Sequence, residues 1–255
     1  MKSTKYVIGN WKLNPATLAD AKALSDELQS SLSANLSCVL GIASGFLHFN
    51  TVRASLNDVL VGAQDITHKT GDTGAFTGDV SAKQLADMGA DFVLVGHSER
   101  RQYHGETSDI LIKKIAHALQ NNLSVVFCIG ETKDEYSRQQ TLDVLSRQLD
   151  ILATFSGEEP PQNALPKILI AYEPVWAIGT GLTPTLDEIA SVHEFIANKL
   201  SKMGLKAPIL YGGSANENNA KELACVSGVD GVLVGGASLK ATSFCKIAEA
   251  FSAAC

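Results

Sequence analysis

Ile168-Leu169-Ile170-Ala171, followed by Thr185-Leu186-Asp187-Glu188 and then by Ile189, Val192, Ile196, Leu200 and Met203, holds one complete structural unit. A short continuous apolar run reads as a strand buried on both faces, the form taken by strands of a parallel sheet. Thr185 with a glutamate three residues on is a capping box that opens a helix. Apolar residues at spacings of three and four place one stripe on that helix, which lies against the outside of the sheet.

The same unit recurs in both directions along the chain. Seven further runs are Tyr6 to Ile8, Cys38 to Ile42, Val59 to Ala63, Phe92 to Val95, Val125 to Ile129, Ile209 to Tyr211 and Val232 to Val234. Leu18, Ala21, Leu24, Leu28 and Leu32 mark the first helix, and Thr132 to Glu135 is a second capping box before the fifth. Eight strand-helix units in 255 residues predict an α/β fold of one domain over 1–255, a closed (β/α)8 barrel, whose usual length is about 250 residues. A doubly wound open sheet is the alternative. It would carry G-x-G-x-x-G after the first strand, and this chain does not.

Composition narrows the partners. There are 27 acidic and 21 basic residues, a formal charge of −6, and no long Lys or Arg run, which argues against nucleic acid and anionic membrane. An anionic substrate would have to be drawn by local groups, not by the global field. The polar start and the early break at Gly9-Asn10 do not suit a signal peptide or membrane span, so a cytoplasmic protein is expected. Cys38, Cys128, Cys225, Cys245 and Cys255 form no C-x-x-C pair or zinc spacing and read as reduced structural thiols.

Barrel chemistry sits where strands end and the following loops begin. There the chain has Gly9-Asn10-Trp11-Lys12, Gly96-His97-Ser98-Glu99-Arg100, Tyr172-Glu173-Pro174, Gly212-Gly213-Ser214 and Gly235-Gly236. A cation, an imidazole, a carboxylate and two glycine pairs would meet on one rim. Glycines without Cβ atoms let backbone N–H groups approach an anion, and a helix starting near Ser238 would add its dipole. The loops after strands seven and eight are the usual phosphate position in barrels. Tight turns alone are the competing explanation for either pair.

Asn10-Trp11-Lys12, Gly96 to Arg101, the eleven residues Ala171-Tyr-Glu-Pro-Val-Trp-Ala-Ile-Gly-Thr-Gly181, Tyr211-Gly212-Gly213-Ser214 and Gly235-Gly236-Ala237-Ser238 together resemble the triosephosphate isomerase family, essentially from end to end. The resemblance implies a TIM barrel that interconverts dihydroxyacetone phosphate and glyceraldehyde 3-phosphate through an enediolate, a step of glycolysis and gluconeogenesis. By match, Glu173 moves the proton between the two carbons, a task suited to a carboxylate whose pKa is raised by apolar surroundings. Ile178 and Leu233 match the apolar clamp over it. His97 resembles a neutral imidazole donor to the substrate oxygens, Lys12 the positive charge, Asn10 a further donor, and Glu99 a carboxylate beside Lys12. This division of labour belongs to the family and is carried over by resemblance. Backbone N–H groups of Gly179, Ser214, Gly235 and Gly236 match the phosphate ligands. No metal or organic cofactor is implied, and His48, His68, His104, His117 and His193 match no motif, so they read as solvated or structural.

Residues 174 to 184, from Pro174 to Pro184, match a lid that closes over the intermediate. Its far end, Leu182-Thr183-Pro184, departs from the family pattern. The tyrosine matching Tyr211 would bond a backbone N–H at the position of Pro184, and proline has none. A stiffer hinge, closed mainly by Ser214 and phosphate contacts, is expected. The loop from Gln64 to Asp79 resembles the segment that enters a second subunit and brings Thr77 to its Asn10 region, which implies a homodimer. Asp79 stands where a glutamate would reach the arginine matching Arg100, one methylene short. Other phosphate-binding barrels share the glycine site but not the lid stretch. A barrel kept only as a binding scaffold would be expected to have lost Lys12, His97 or Glu173.

Overall fold

The computed structural model describes residues 4–69, 71–155, 165–178 and 182–254. Eight parallel strands close on themselves in chain order: β1 (Tyr6–Asn10), β2 (Val39–Ser44), β3 (Leu60–Ala63), β4 (Phe92–Val95), β5 (Ser124–Ile129), β6 (Ile168–Tyr172), β7 (Ile209–Tyr211) and β8 (Gly231–Val234). Closure is made by β8 against β1, with Tyr6 opposite Gly231 and Gly9 opposite Val234. This is the closed (β/α)8 barrel read from the sequence, and each of the eight runs falls on a strand, with Cys38 and Val59 one residue ahead of β2 and β3.

Helices alternate with the strands: α1 (Leu18–Ser31), α2 (Phe49–Ser55), α3 (Ala82–Asp87), α4 (Ser98–His104), α5 (Ser108–Gln120), α6 (Lys133–Ser137), α7 (Thr141–Leu149), α8 (Leu186–Lys202), α9 (Ala220–Cys225) and α10 (Ala241–Ala253). Both expected capping boxes are present, Thr132 with Glu135 and Thr185 with Glu188, and Ser81 with Gln84 makes a third. The stripes of α1 and α8 bury Ala21 and Leu28, and Ile189, Ile196 and Leu200. The first residues of the two helices, Leu18 and Leu186, are instead exposed. Among the described residues no helix is long and apolar enough to cross a membrane.

The two-residue period of the strands divides the core into two layers. Ile8, Ala43, Phe92, Leu94, Val126, Cys128, Leu169, Ala171, Leu210 and Leu233 fill the barrel interior, while Val7, Ile42, Val93, Val95, Phe127, Ile170, Tyr172, Tyr211 and Val234 pack outward against the helices. Phe92 fits inside because Gly62 faces it; a Cβ there would stand 2.5 Å from the ring. The same alternation carries the functional side chains. Asn10 continues the inward series of Tyr6 and Ile8, and Glu173 that of Leu169 and Ala171, so both project into the mouth of the barrel.

Candidate active site

Asn10, Lys12, His97, Glu173, Ile178, Ser214, Leu233, Gly235 and Gly236 line one cavity of about 370 Å³ at the ends of β1, β4, β6, β7 and β8. The structure therefore brings together most of the residues read at the strand ends. Gly179 lies outside the described residues, as does the rest of the lid's centre, 180 and 181.

Glu173 is 2% exposed. Its Oε1 is 3.0 Å from His97 Nε2, and its Oε2 accepts from the Ser98 N–H at 3.0 Å. Burial pushes its carboxyl up, but His97, the Ser98 N–H and Lys12 outweigh burial and hold it below the ordinary glutamate value. This corrects the expectation of a raised pKa: apolar walls do act in that direction, yet in this arrangement the carboxylate is parked on two donors.

His97 caps α4, and the Glu99 N–H donates to its Nδ1 at 3.3 Å, so that nitrogen carries a lone pair and Nε2 carries the hydrogen offered to Glu173. Burial lowers the proton affinity of the ring, and the Glu173 and Glu99 carboxylates more than reverse this, so its pKa is raised. The ring that the resemblance makes a neutral donor is therefore easier to protonate while Glu173 touches it. Separating the two would remove that lift.

Lys12 adopts φ of 53°, a conformation that costs a non-glycine residue strain. Its backbone is held there on both sides: its N–H donates to Asn10 Oδ1 at 3.0 Å, and its carbonyl accepts from Gln64 Nε2 at 2.8 Å. The ammonium meets Glu99 Oε1 at 2.6 Å. Lysine, imidazole and carboxylates thereby form one chain across the mouth.

The two glycine pairs differ. A Cβ on Gly212 would stand 2.9 Å from Glu173 Cγ, and one on Gly213 only 2.3 Å from the Tyr211 hydroxyl. This pair clears space for neighbouring side chains. A Cβ on Gly236 would meet nothing within 4 Å, and one on Gly235 only Lys12 Cε at 3.7 Å. That pair leaves backbone open to the cavity, as an anion cradle needs. The chain then makes a four-residue 3₁₀ turn, Gly236–Leu239, in place of the expected helix start near Ser238.

At the near end of the lid, Pro174 is buried and precedes a turn over Val175–Ala177. The Trp176 indole and the Tyr172 hydroxyl both donate to Glu131 Oε1, at 2.8 and 3.2 Å, and Ser214 Oγ donates to the Ala177 carbonyl at 2.8 Å. At the far end, Pro184 is buried, and the Tyr211 hydroxyl is buried without a hydrogen-bond partner among the described residues. The parts played by Ser98, Gln64, Gly212 and Glu131 are not visible in the sequence. Each acts through a backbone group, a lack of bulk, or a partner distant along the chain, and none of these leaves a local motif.

On the loop from Gln64 to Asp79, Asp79 accepts from the Thr67 hydroxyl, and Arg100 meets Asp65 at 2.9 Å and Glu106 at 2.6 Å within its own chain. Of the histidines outside the motifs, His193 is fully buried with Nδ1 2.9 Å from the Gly228 carbonyl. Cys38, Cys128 and Cys245 are buried free thiols, Cys225 is exposed, and Cys255 lies outside the described residues.

A closed barrel whose mouth sets a glutamate against a histidine, beside a lysine and an open glycine pair, defines a class: barrel enzymes that move protons on small phosphorylated substrates. The family model described as triosephosphate isomerase matches residues 5–251. Proteins named triosephosphate isomerase from Psychrobacter cryohalolentis and Psychrobacter arcticus are each 46% identical, with 98% and 97% of both chains covered, and one from a Jannaschia species is 45% identical over 98% of this chain and 99% of its own. The chain belongs to the triosephosphate isomerase family.

Proposed function

We propose that this chain interconverts dihydroxyacetone phosphate and D-glyceraldehyde 3-phosphate through an enediolate, as an isomerase of glycolysis and gluconeogenesis. The observation that carries the reading is the single cavity in which Glu173, His97, Lys12 and the open Gly235-Gly236 backbone face the same space. In it Glu173 takes the proton from one carbon and returns it to the next. The substrate enters between Glu173 and His97, ending their contact. The carboxylate then loses the donors that hold its pKa down while keeping the burial that raises it. His97 Nε2–H and Asn10 donate to the two oxygens. Lys12 answers the enediolate charge and the phosphate, which supplies the local attraction that a chain of net charge −6 needs. Glu99 holds the Lys12 ammonium in place. Ser214, Gly235 and Gly236, with Gly179 of the lid, cradle the phosphate, and Ile178 and Leu233 clamp the base. The base and oxyanion donors serve enolisation, so no cofactor is assigned.

Residues 174–184 form the lid that closes over the intermediate, with Ser214 and the phosphate as its main latches and Pro184 stiffening its far hinge. The working form is a homodimer in the cytoplasm. Supporting the dimer, Leu13, Leu47 and Tyr103 are 98%, 94% and 72% exposed, and with Phe46 and Phe76 they stand on the segments that follow β1 to β4, Tyr103 on α4, neighbours around the barrel. Such a cluster of exposed apolar side chains marks an interface. Thr77 lies on the same loop as Phe76 and would reach the partner's mouth.

A coupled assay of glyceraldehyde 3-phosphate formation tests the reading. Turnover is expected in the unmodified protein, with a large loss in Glu173→Asp, whose carboxylate is withdrawn by one methylene. Absence of turnover in the unmodified protein, or an undiminished rate in the variant, would overturn it.

A further inference from the structure

Beyond its last strand residue, β5 continues as the surface on which Glu173 and the start of the lid are seated. The Ile129 carbonyl accepts from Glu173 N at 2.7 Å, and the Glu131 carbonyl accepts from Val175 N at 3.1 Å. Contact is so close that a Cβ on Gly130 would stand 1.7 Å from the Glu173 carbonyl oxygen. Any shift of Gly130 therefore moves the backbone of Glu173.

Both polar backbone groups of Gly130 are held by one side chain. Gln148 Oε1 accepts from the Gly130 N–H at 2.8 Å, and Gln148 Nε2 donates to the Gly130 carbonyl at 3.0 Å. A primary amide can accept and donate in one plane while remaining neutral, and asparagine would fall a methylene short. Gln148 rides on α7, which Val144, Leu145 and Leu149 anchor in the core. It does not line the cavity assigned to the substrate; it lines an adjoining cavity of about 660 Å³ that shares Glu173 as a wall.

We propose that Gln148 is a positioning residue for Glu173: through its paired bonds to Gly130 it sets the carboxylate in line with the reacting carbon. The proposal rests on the base role given to Glu173. Its logic is that a catalytic group is only as well placed as the contacts that support it, and that a displacement of about 1 Å can cost about a hundredfold in rate. The phosphate cradle is on β7 and β8, away from Gly130, so binding should be little affected.

The test compares kcat and KM from pH 5 to pH 9 in the unmodified protein, Gln148→Leu and Gln148→Glu, with circular dichroism as the check on folding. Gln148→Leu should lose about tenfold or more in kcat with KM within about threefold. In Gln148→Glu the ionised carboxylate repels the Gly130 carbonyl, whereas the protonated carboxyl again offers one donor and one acceptor. Its deficit relative to the unmodified protein should therefore shrink as pH falls. A purely structural Gln148 would lower the melting temperature without that recovery. A folded Gln148→Leu with kcat within twofold of the unmodified protein, or a Gln148→Glu deficit that does not change with pH, overturns the positioning role while leaving the isomerase reading intact. An unmodified protein without isomerase activity overturns both.

Discussion

Two charge clusters draw on the segment after β4, one with Asp65 from the loop after β3 and one with Glu173 from the end of β6, and they are built in opposite ways. In the first, Lys114 meets Asp65 and, at 2.6 Å, Glu106, and Arg100 meets the same two carboxylates. Two cations face two anions, and each charge has two partners. Burial drives the Glu106 carboxyl up, but Lys114 and Arg100 outweigh it and hold it low; at Asp65 burial wins over the same partners. In the second, Glu173 has one N–H and one imidazole, and its remaining surroundings are a cavity. The first cluster pairs each of its charges twice, although its four members also line a cavity of about 390 Å³. The second gives its carboxylate no lysine or arginine in direct contact among the described residues, which costs stability unless something enters to complete it, and in the proposed function that is the substrate. The contrast separates charges that hold the fold from charges available for chemistry.

That distinction predicts which measurement each substitution moves. The largest effects are expected on turnover. Lys12→Ala or His97→Gln should lose roughly 3 to 4 kcal/mol of transition-state stabilisation, a fall in kcat of about 10² to 10³, with little change in the denaturation midpoint. Steady-state assays paired with urea melts would show this, and near-normal turnover in either variant would remove the role. In the doubly paired cluster the pattern should reverse: Lys114→Met leaves two buried carboxylates to share Arg100 and should cost about 3 to 5 kcal/mol in a urea melt. A melt unchanged within error would mean that the network contributes nothing.

Next in size is a pH effect at His193, which belongs to neither cluster. Burial drives its pKa from 6.5 down to about 4, against the smaller opposing pull of the Gly228 carbonyl. The unfolded chain thus binds a proton that the folded chain refuses, so stability is full above the unfolded pKa and falls as pH drops from about 6.5 to about 4. Between pH 7 and pH 5 this one group should account for about 2 kcal/mol. Urea melts at the two pH values should differ by that much less in His193→Gln; equal slopes would refute it. The smallest effect is expected at Tyr211, whose hydroxyl is buried without a partner among the described residues. Tyr211→Phe should leave stability within about 0.5 kcal/mol and kcat unchanged, since no hydrogen bond to a described residue is lost. A marked loss of kcat would show that closure gives the hydroxyl a partner despite Pro184. Faster lid motion in Pro184→Ala, followed by Trp176 fluorescence, would sharpen the same point, and unchanged motion would argue against a stiff hinge.

The barrel and most of its mouth were legible in the sequence for a local reason. Strand runs, helix stripes and capping boxes are set by residues at most a few positions apart, and the strand period alone sends Asn10 and Glu173 inward. The residues at the strand ends could be chosen because barrel topology fixes where loops emerge. What the sequence left undecided depends on groups far apart in the chain. Gly212 and Gly236 look alike in one dimension, yet one clears Glu173 and the other opens onto the cavity. The direction of the Glu173 and His97 pKa shifts depends on a contact across 76 residues of chain, which reverses what burial alone would give. Gln148 and Gln64 act on backbone atoms of Gly130 and Lys12, and backbone atoms carry no sequence signature. By itself the sequence determined the barrel and the chemical groups at its mouth; only the tertiary structure decided which of those groups are held, which are left open, and by what.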